Sequence, residues 1–321
     1  MFKDIIERLP LPAAGILLAL FSLGNLHKEN APMLRYALAI AAIVILLALV
    51  VKVIFSREAV SKELENPVVV SVLPTISMGL LISVTYLVEL SKTAATALWF
   101  AGVILHIGFM IFYIMRVLVP FNIKKIFPTI FIPFVGIVCA TVSSPAVGQQ
   151  ALGQTLFWFG IVAFIVCLPI ALYRVFGGIE IPAPARPTVM IFAAPSALLL
   201  AGYLQAFDAK MPWMVIALGI CVVVFLTLAL YLAWPAFKSP FTPSHSAFTF
   251  PLVICAIAMA GTGKFFAAQG FTCPVMPYLA PIFLVLAWAG VLYAIVRYAV
   301  FLAGTQNKAG NSQKMGILTK S

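Results

Sequence analysis

Uncharged apolar runs, each about the length a bilayer asks of a helix, recur along the chain and are separated by short polar stretches. They predict ten helical spans, at 12–26, 33–55, 68–88, 94–119, 128–143, 152–176, 188–205, 212–234, 246–261 and 278–302. Odd and even spans differ in kind. The even ones are long and packed with Leu, Ile, Val and Phe, with Pro169 and Pro281 towards ends. The odd ones are shorter and marked by Pro12, Pro74, Pro133, Pro195 and Pro251. Successive differences between these prolines are 62, 59, 62 and 56 residues, which predicts one helical hairpin repeated five times.

Proline removes a backbone N–H and frees a carbonyl, so it suits a helix whose freed groups meet protein or a cavity rather than lipid. The odd spans also hold most of the hydroxyl and small residues, including Ser71, Thr75, Ser77, Thr141, Ser196, Ser246 and Thr249. Five hairpins can therefore close into two rings: odd, proline-bent helices inside around a pore, even helices outside facing lipid. The stretch Ser246-Ala247-Phe248-Thr249-Phe250-Pro251-Leu252 sets a bulky aromatic directly against a proline, which makes Phe250 the candidate plug. One phenylalanine among 26 is ordinarily packing or lipid contact, and position alone leaves both readings open.

Composition agrees with the pattern. The chain of 321 residues is 64% hydrophobic and 9% charged, with mean hydropathy +1.14. The expectation is an all-α polytopic membrane protein: an N-terminal tail over 1–11, a transmembrane domain over 12–303 and a polar tail over 304–321. Lys3 and Arg8 precede the first apolar run as in a signal peptide, but no small-x-small site follows, so that run reads as the first helix. The net charge of +11 would suggest nucleic acid in a soluble protein, but here it reflects basic loops, and no nucleic-acid partner is expected. The two tails and the loops after even spans hold 15 of the 20 Lys and Arg, which predicts cytoplasmic termini.

Candidate chemistry is sparse. No Asp, Glu, Lys, Arg or His falls inside an odd span as drawn, whereas ion-coupled carriers keep such a group in the membrane. His106, in the fourth span, is a candidate proton relay, and the alternative is a hydrogen-bonded packing residue. Glu89, at the end of the third, reads as interfacial. Thr75, Ser196 and Thr249 beside the prolines can donate to an anion or bond back to their own helix, and both readings stand. Cys139, Cys167, Cys221 and Cys255 lie in spans and Cys273 in a loop, with no CxxC pair, so neither disulfides nor a metal site is expected. No cofactor and no enzymatic constellation is visible.

Several short segments carry a family likeness: Leu9-Pro10-Leu11-Pro12-Ala13-Ala14-Gly15-Ile16, Leu73-Pro74-Thr75, Ala194-Pro195-Ser196-Ala197 and Ser246-Ala247-Phe248-Thr249-Phe250-Pro251. In this order and spacing, over roughly 9–302, the chain resembles the tellurite-resistance/dicarboxylate transporter family, which includes bacterial TehA proteins and the slow anion channels of plant guard cells. The resemblance implies five hairpins in quasi-fivefold arrangement, homotrimers with a pore through each subunit, and occlusion of that pore by Phe250. It also implies that Gly15 sits where no side chain fits. Ala13 and Ala14 replace an aromatic pair common in the family, and Ser246-Ala247 reduces its bulkier ninth-helix pattern, which predicts more space near the pore. The functional expectation is a passive anion channel in the cytoplasmic membrane, carrying inorganic or small organic anions. The site set is Phe250 as gate with Gly15, Pro74, Thr75, Pro133, Pro195, Ser196, Thr249 and Pro251 as lining or kink. The rivals are a coupled transporter of C4-dicarboxylate, sulfite or tellurite-type oxyanions, and a non-conducting membrane scaffold.

Overall fold

In the computed structural model, which describes residues 2–119, 121–271 and 274–318, each predicted span coincides with a helical segment. We number them α1 (Leu11–Leu26), α2 (Pro32–Phe55), α3 (Pro67–Leu87), α4 (Lys92–Leu118), α5 (Pro128–Val135 with Val138–Val147), α6 (Gln150–Phe176), α7 (Ala183–Ala206), α8 (Pro212–Phe237), α9 (Pro243–Ala268) and α10 (Met276–Leu318). Among the described residues, eight are long and apolar enough to cross a membrane; α5 is a pair bent by 46°, and α1 is shorter. α10 runs past the end of the apolar pattern, to Leu318. Cys273 and Lys320 lie outside the described residues.

Burial separates the two kinds of helix. In the most apolar 18-residue stretch of α3, α7 and α9, 78, 89 and 61% of residues are buried, against 22–33% in the corresponding stretches of the even helices. The odd helices form a closed cycle: α1 packs on α3, α3 on α5, α5 on α7, α7 on α9, and α9 returns to α1. Each even helix lies behind its own hairpin partner. Its outward face is apolar and bare, as with Ile40, Val44 and Leu47 on α2 or Val162, Ile165 and Val166 on α6. Such a face is stable only in lipid, so this is a polytopic helical membrane protein.

The prolines act differently from simple kinks. Each inner segment is split into a short N-terminal piece and an α-helical continuation: Leu11–Ala13 then Ala14–Leu26, Pro67–Val72 then Thr75–Leu87, Ala183–Ala193 then Ala194–Ala206, Pro243–Phe248 then Phe250–Ala268. α5 divides likewise, at Gly136 and Ile137. Pro74 immediately precedes the second piece of α3, and Pro195 and Pro251 are the second residues of theirs. The first N–H groups of a helix have no intrahelical acceptor, so a proline there forfeits no bond. Pro12 and Pro133 lie instead inside the first pieces of α1 and α5, so the restart falls at the proline in α3, α7 and α9.

Ion pairs fasten the ends. The Lys52 ammonium, fully buried, pairs with Glu63 and donates to Leu9 O at 2.6 Å, while Glu63 Oε2 accepts the Leu11 N–H at 2.8 Å. This ties the start of α1 to the linker helix Arg57–Glu63. At the opposite end, Arg35 is 2% exposed and bonds both Glu89 oxygens at 2.8 and 3.0 Å. It also donates to Thr85 O at 3.0 Å and lies 4.2 Å above the Tyr86 ring. Arg174 caps the chain after α6 by donating to Ile179 O and Glu180 O.

Candidate functional site: an uncharged cavity inside the ring

A cavity of about 50 Å³ lies within the cycle of inner helices. Its wall comes from all five: Pro12 and Gly15 of α1; Val68, Val72, Thr75 and Met78 of α3; Thr129, Phe131, Ile132, Val135 and Gly136 of α5; Thr188, Ile191, Ala194, Pro195 and Leu198 of α7; Ser244, Ser246, Ala247, Phe250 and Pro251 of α9. The restarts of α3, α7 and α9 sit at this wall and bring Thr75, Ala194, Pro195 and Pro251 to it, beside bulkier apolar residues such as Met78, Phe131, Leu198 and Phe250.

None of these wall residues is ionisable. The hydroxyls among them are largely committed. Thr75 Oγ1 donates to Val72 O at 2.6 Å and Thr188 Oγ1 to Ala185 O at 2.6 Å, and Thr129 Oγ1 lies 2.6 Å from Ser71 Oγ. A hydroxyl has one proton, so one that donates to its own helix turns only lone pairs elsewhere. For Thr75 the back-bonded reading is the one observed.

The predicted site residues divide into two groups. Gly15, Thr75, Pro195, Pro251 and Phe250 line the cavity, Phe250 at 6% exposure. Pro74, Pro133, Ser196 and Thr249 stand outside its wall. Thr249 Oγ1 lies 3.0 Å from Gly15 O and 2.7 Å from Ser246 O, joining α9 to α1. At Gly15 a Cβ would meet Ser246 Cβ at 3.2 Å, so this contact between inner helices is tight. The Ser196 hydroxyl is buried without a hydrogen-bond partner.

His106 is on the inward face of α4, fully buried and outside the cavity wall. Its Nδ1 lies 3.0 Å from Ser77 Oγ and its Nε2 3.1 Å from Pro133 O. Pro133 O can only accept, so Nε2 carries the proton of a neutral imidazole, and Nδ1 shares the single Ser77 proton with Pro74 O, 2.8 Å from that hydroxyl. His106 thus bridges α3 and α5 just before the break in α5. His245 lies in the first piece of α9, upstream of the drawn span, so the absence of ionisable residues inside odd spans holds for the wall but not for the whole segment. Its Nδ1 meets Thr242 O at 2.9 Å, and it does not line the cavity.

Sequence reasoning takes the buried Lys52, Arg35 and Arg174 only as members of the charge count and not as buried partners. A basic residue at the end of an apolar helix with an acid nearby in the next linker, as Glu63 follows Lys52, was a usable signal.

A ring of broken helices around an uncharged cavity, jacketed by apolar helices, is the architecture of a membrane pore or carrier. The chain matches the profile of the voltage-dependent anion channel (SLAC1) family over residues 10–296 and belongs to that family, as its local motifs predict. It is therefore an anion channel or transporter of the tellurite-resistance/dicarboxylate class, a group of channels and transporters rather than enzymes. A search of curated proteins returned no match.

Proposed function

We propose that the protein is a passive anion channel with one pathway through each subunit, closed at rest by Phe250. The observation that carries this reading is the wall itself: five inner helices contribute to it and none supplies a charge. A coupled carrier needs a group there that changes charge or binds the co-ion. An uncharged wall instead favours weakly hydrated anions, which lose least on leaving water. Phe250 supplies the largest side chain that α9 turns into the cavity, next to Pro251 at the helix restart. The distribution of Lys and Arg supports cytoplasmic termini in a cytoplasmic membrane, and the family resemblance supports a homotrimer.

The test is anion current from reconstituted wild type and Phe250→Ala, with chloride, nitrate and malate in turn. The expected result is little current from the wild type and a clear anion-selective current from the variant. Silence of both, with labelled substrate accumulating against its gradient, would replace the channel with a coupled carrier. Failure of either protein to move any anion would leave the scaffold reading.

A further inference from the structure

We propose that Gly290, on the outer helix α10, positions the wall segment that carries Phe250 and so sets the bore of the pathway. The functional meaning of this inference rests on the channel reading above.

α9 restarts between Phe248 and Phe250. Ala247, Phe250 and Pro251 line the cavity, while Phe248 and Leu252 do not. Phe248 packs outwards, its ring 4.4 Å from Phe237 of α8 and 5.5 Å from Tyr293 of α10. Gly290 lies directly behind this turn. A Cβ added there would run into the carbonyl oxygen of Phe248 and into Leu252 Cδ1. The first obstacle is backbone, which cannot swing aside as the tip of a side chain can. On the side of α1 the same turn is held by the Thr249 hydroxyl, 3.0 Å from Gly15 O. The turn that presents Phe250 is therefore held between a glycine in the ring and a glycine behind it.

The other confined outer-helix glycines, Gly102, Gly153 and Gly160, meet inner-helix side chains first rather than a carbonyl, and a Cβ at Gly108 or Gly219 meets nothing within 4 Å. A methyl at Gly290 needs a shift on the order of 1 Å to reach ordinary contact. Because α10 lies behind α9 and the cavity in front, the shift carries Phe250 and Pro251 inwards. In a cavity of about 50 Å³, that narrowing excludes large anions more than small ones. Gly290 touches no permeant ion itself. It acts through α9.

The experiment uses the full chain reconstituted in bilayers, with chloride and the bulkier methanesulfonate as probes. Phe250→Ala is compared with the double variants Phe250→Ala/Gly290→Ala and Phe250→Ala/Gly219→Ala. The expected result is that Gly290→Ala lowers the methanesulfonate-to-chloride current ratio by about tenfold, the scale one methylene sets in a fitted apolar site. Gly219→Ala should leave the ratio unchanged. A smaller number of folded channels would reduce both currents equally, so an unchanged ratio overturns the inference even if current falls. Silence of Phe250→Ala alone overturns the gate reading and this inference with it, whereas conduction with an unchanged ratio overturns only this inference. Should Gly290→Ala fail to fold, Phe250→Ala/Leu252→Ala, which opens space behind the turn, is expected to raise the ratio. No rise would overturn the inference.

Discussion

The pair formed by Arg35 and Glu89 offers a quantitative test of how the hairpins are fastened, through Glu89→Gln, which keeps the shape of the side chain and removes its charge. Arg35 is 2% exposed and Glu89 31%, so the carboxylate is the partner that water reaches. Of the two bonds between opposite charges, at 2.8 and 3.0 Å, one loses its acceptor, because the Gln amide nitrogen only donates, and the other keeps only the Arg35 charge. A hydrogen bond to a charged group is worth about 1.5–3 kcal/mol, which puts the loss of one near 2 kcal/mol. Stranding a fully buried charge costs about 3–5 kcal/mol, but the partial exposure of Glu89 lets water screen Arg35 and keeps the total near the lower figure. The predicted loss is therefore about 2 kcal/mol. Arg35→Met/Glu89→Gln removes both charges and should cost no more than Glu89→Gln alone.

The pH dependence gives the sharper check. Burial works against the Glu89 charge, but hydrogen bonds from Tyr36 and Arg35, with the charges of Arg35 and Lys28, outweigh it and hold the carboxyl below its ordinary value of 4.5. A depressed carboxyl contributes stability above its unfolded-state pKa and loses it as pH falls through the folded-state value. The gap between wild type and Glu89→Gln should thus be full at pH 7 and close below about 4.5. The assay is the unfolding free energy in mixed micelles as a function of pH. A gap that stays constant into acid would refute the argument that the Glu89 charge is what stabilises the joint.

Other consequences follow from the same geometry. Glu63→Gln leaves the buried Lys52 ammonium with Leu9 O and should destabilise by about 3 kcal/mol, more than Lys52→Met, whose half-buried partner stays hydrated; equal losses in an unfolding titration would contradict this. His106→Ala removes a bridge between Ser77 and Pro133 O and should cost roughly 3 kcal/mol in the same titration. It should also leave anion flux free of any proton requirement, and proton uptake that accompanies substrate and disappears in this variant would return His106 to the relay role. Thr249→Val loses the hydroxyl contact to Gly15 O and should raise the leak of otherwise wild-type protein, read as chloride efflux from vesicles.

What the chain determines by itself is the set of helices and their division into two kinds. Hydropathy is a local property, summed over a single span, and a bilayer demands it whatever the neighbours are. Proline at a regular interval is equally local, since it ends or restarts a helix through its own missing N–H. The inner ring was therefore legible from Pro74, Pro195 and Pro251, and so was family membership. Tertiary structure decided what those helices do to one another. Which threonine protons are already committed, as at Thr75 and Thr188, depends on how each helix restarts. That Arg35 is buried against Glu89 while Lys264 lies exposed beside Glu29 depends on pairs 54 and 235 residues apart. Gly290 looks like any glycine of a lipid-facing helix until the fold places Phe248 O against it. The cavity belongs to no single segment, because its wall is a few residues from each of five helices, brought together only when the last closes on the first.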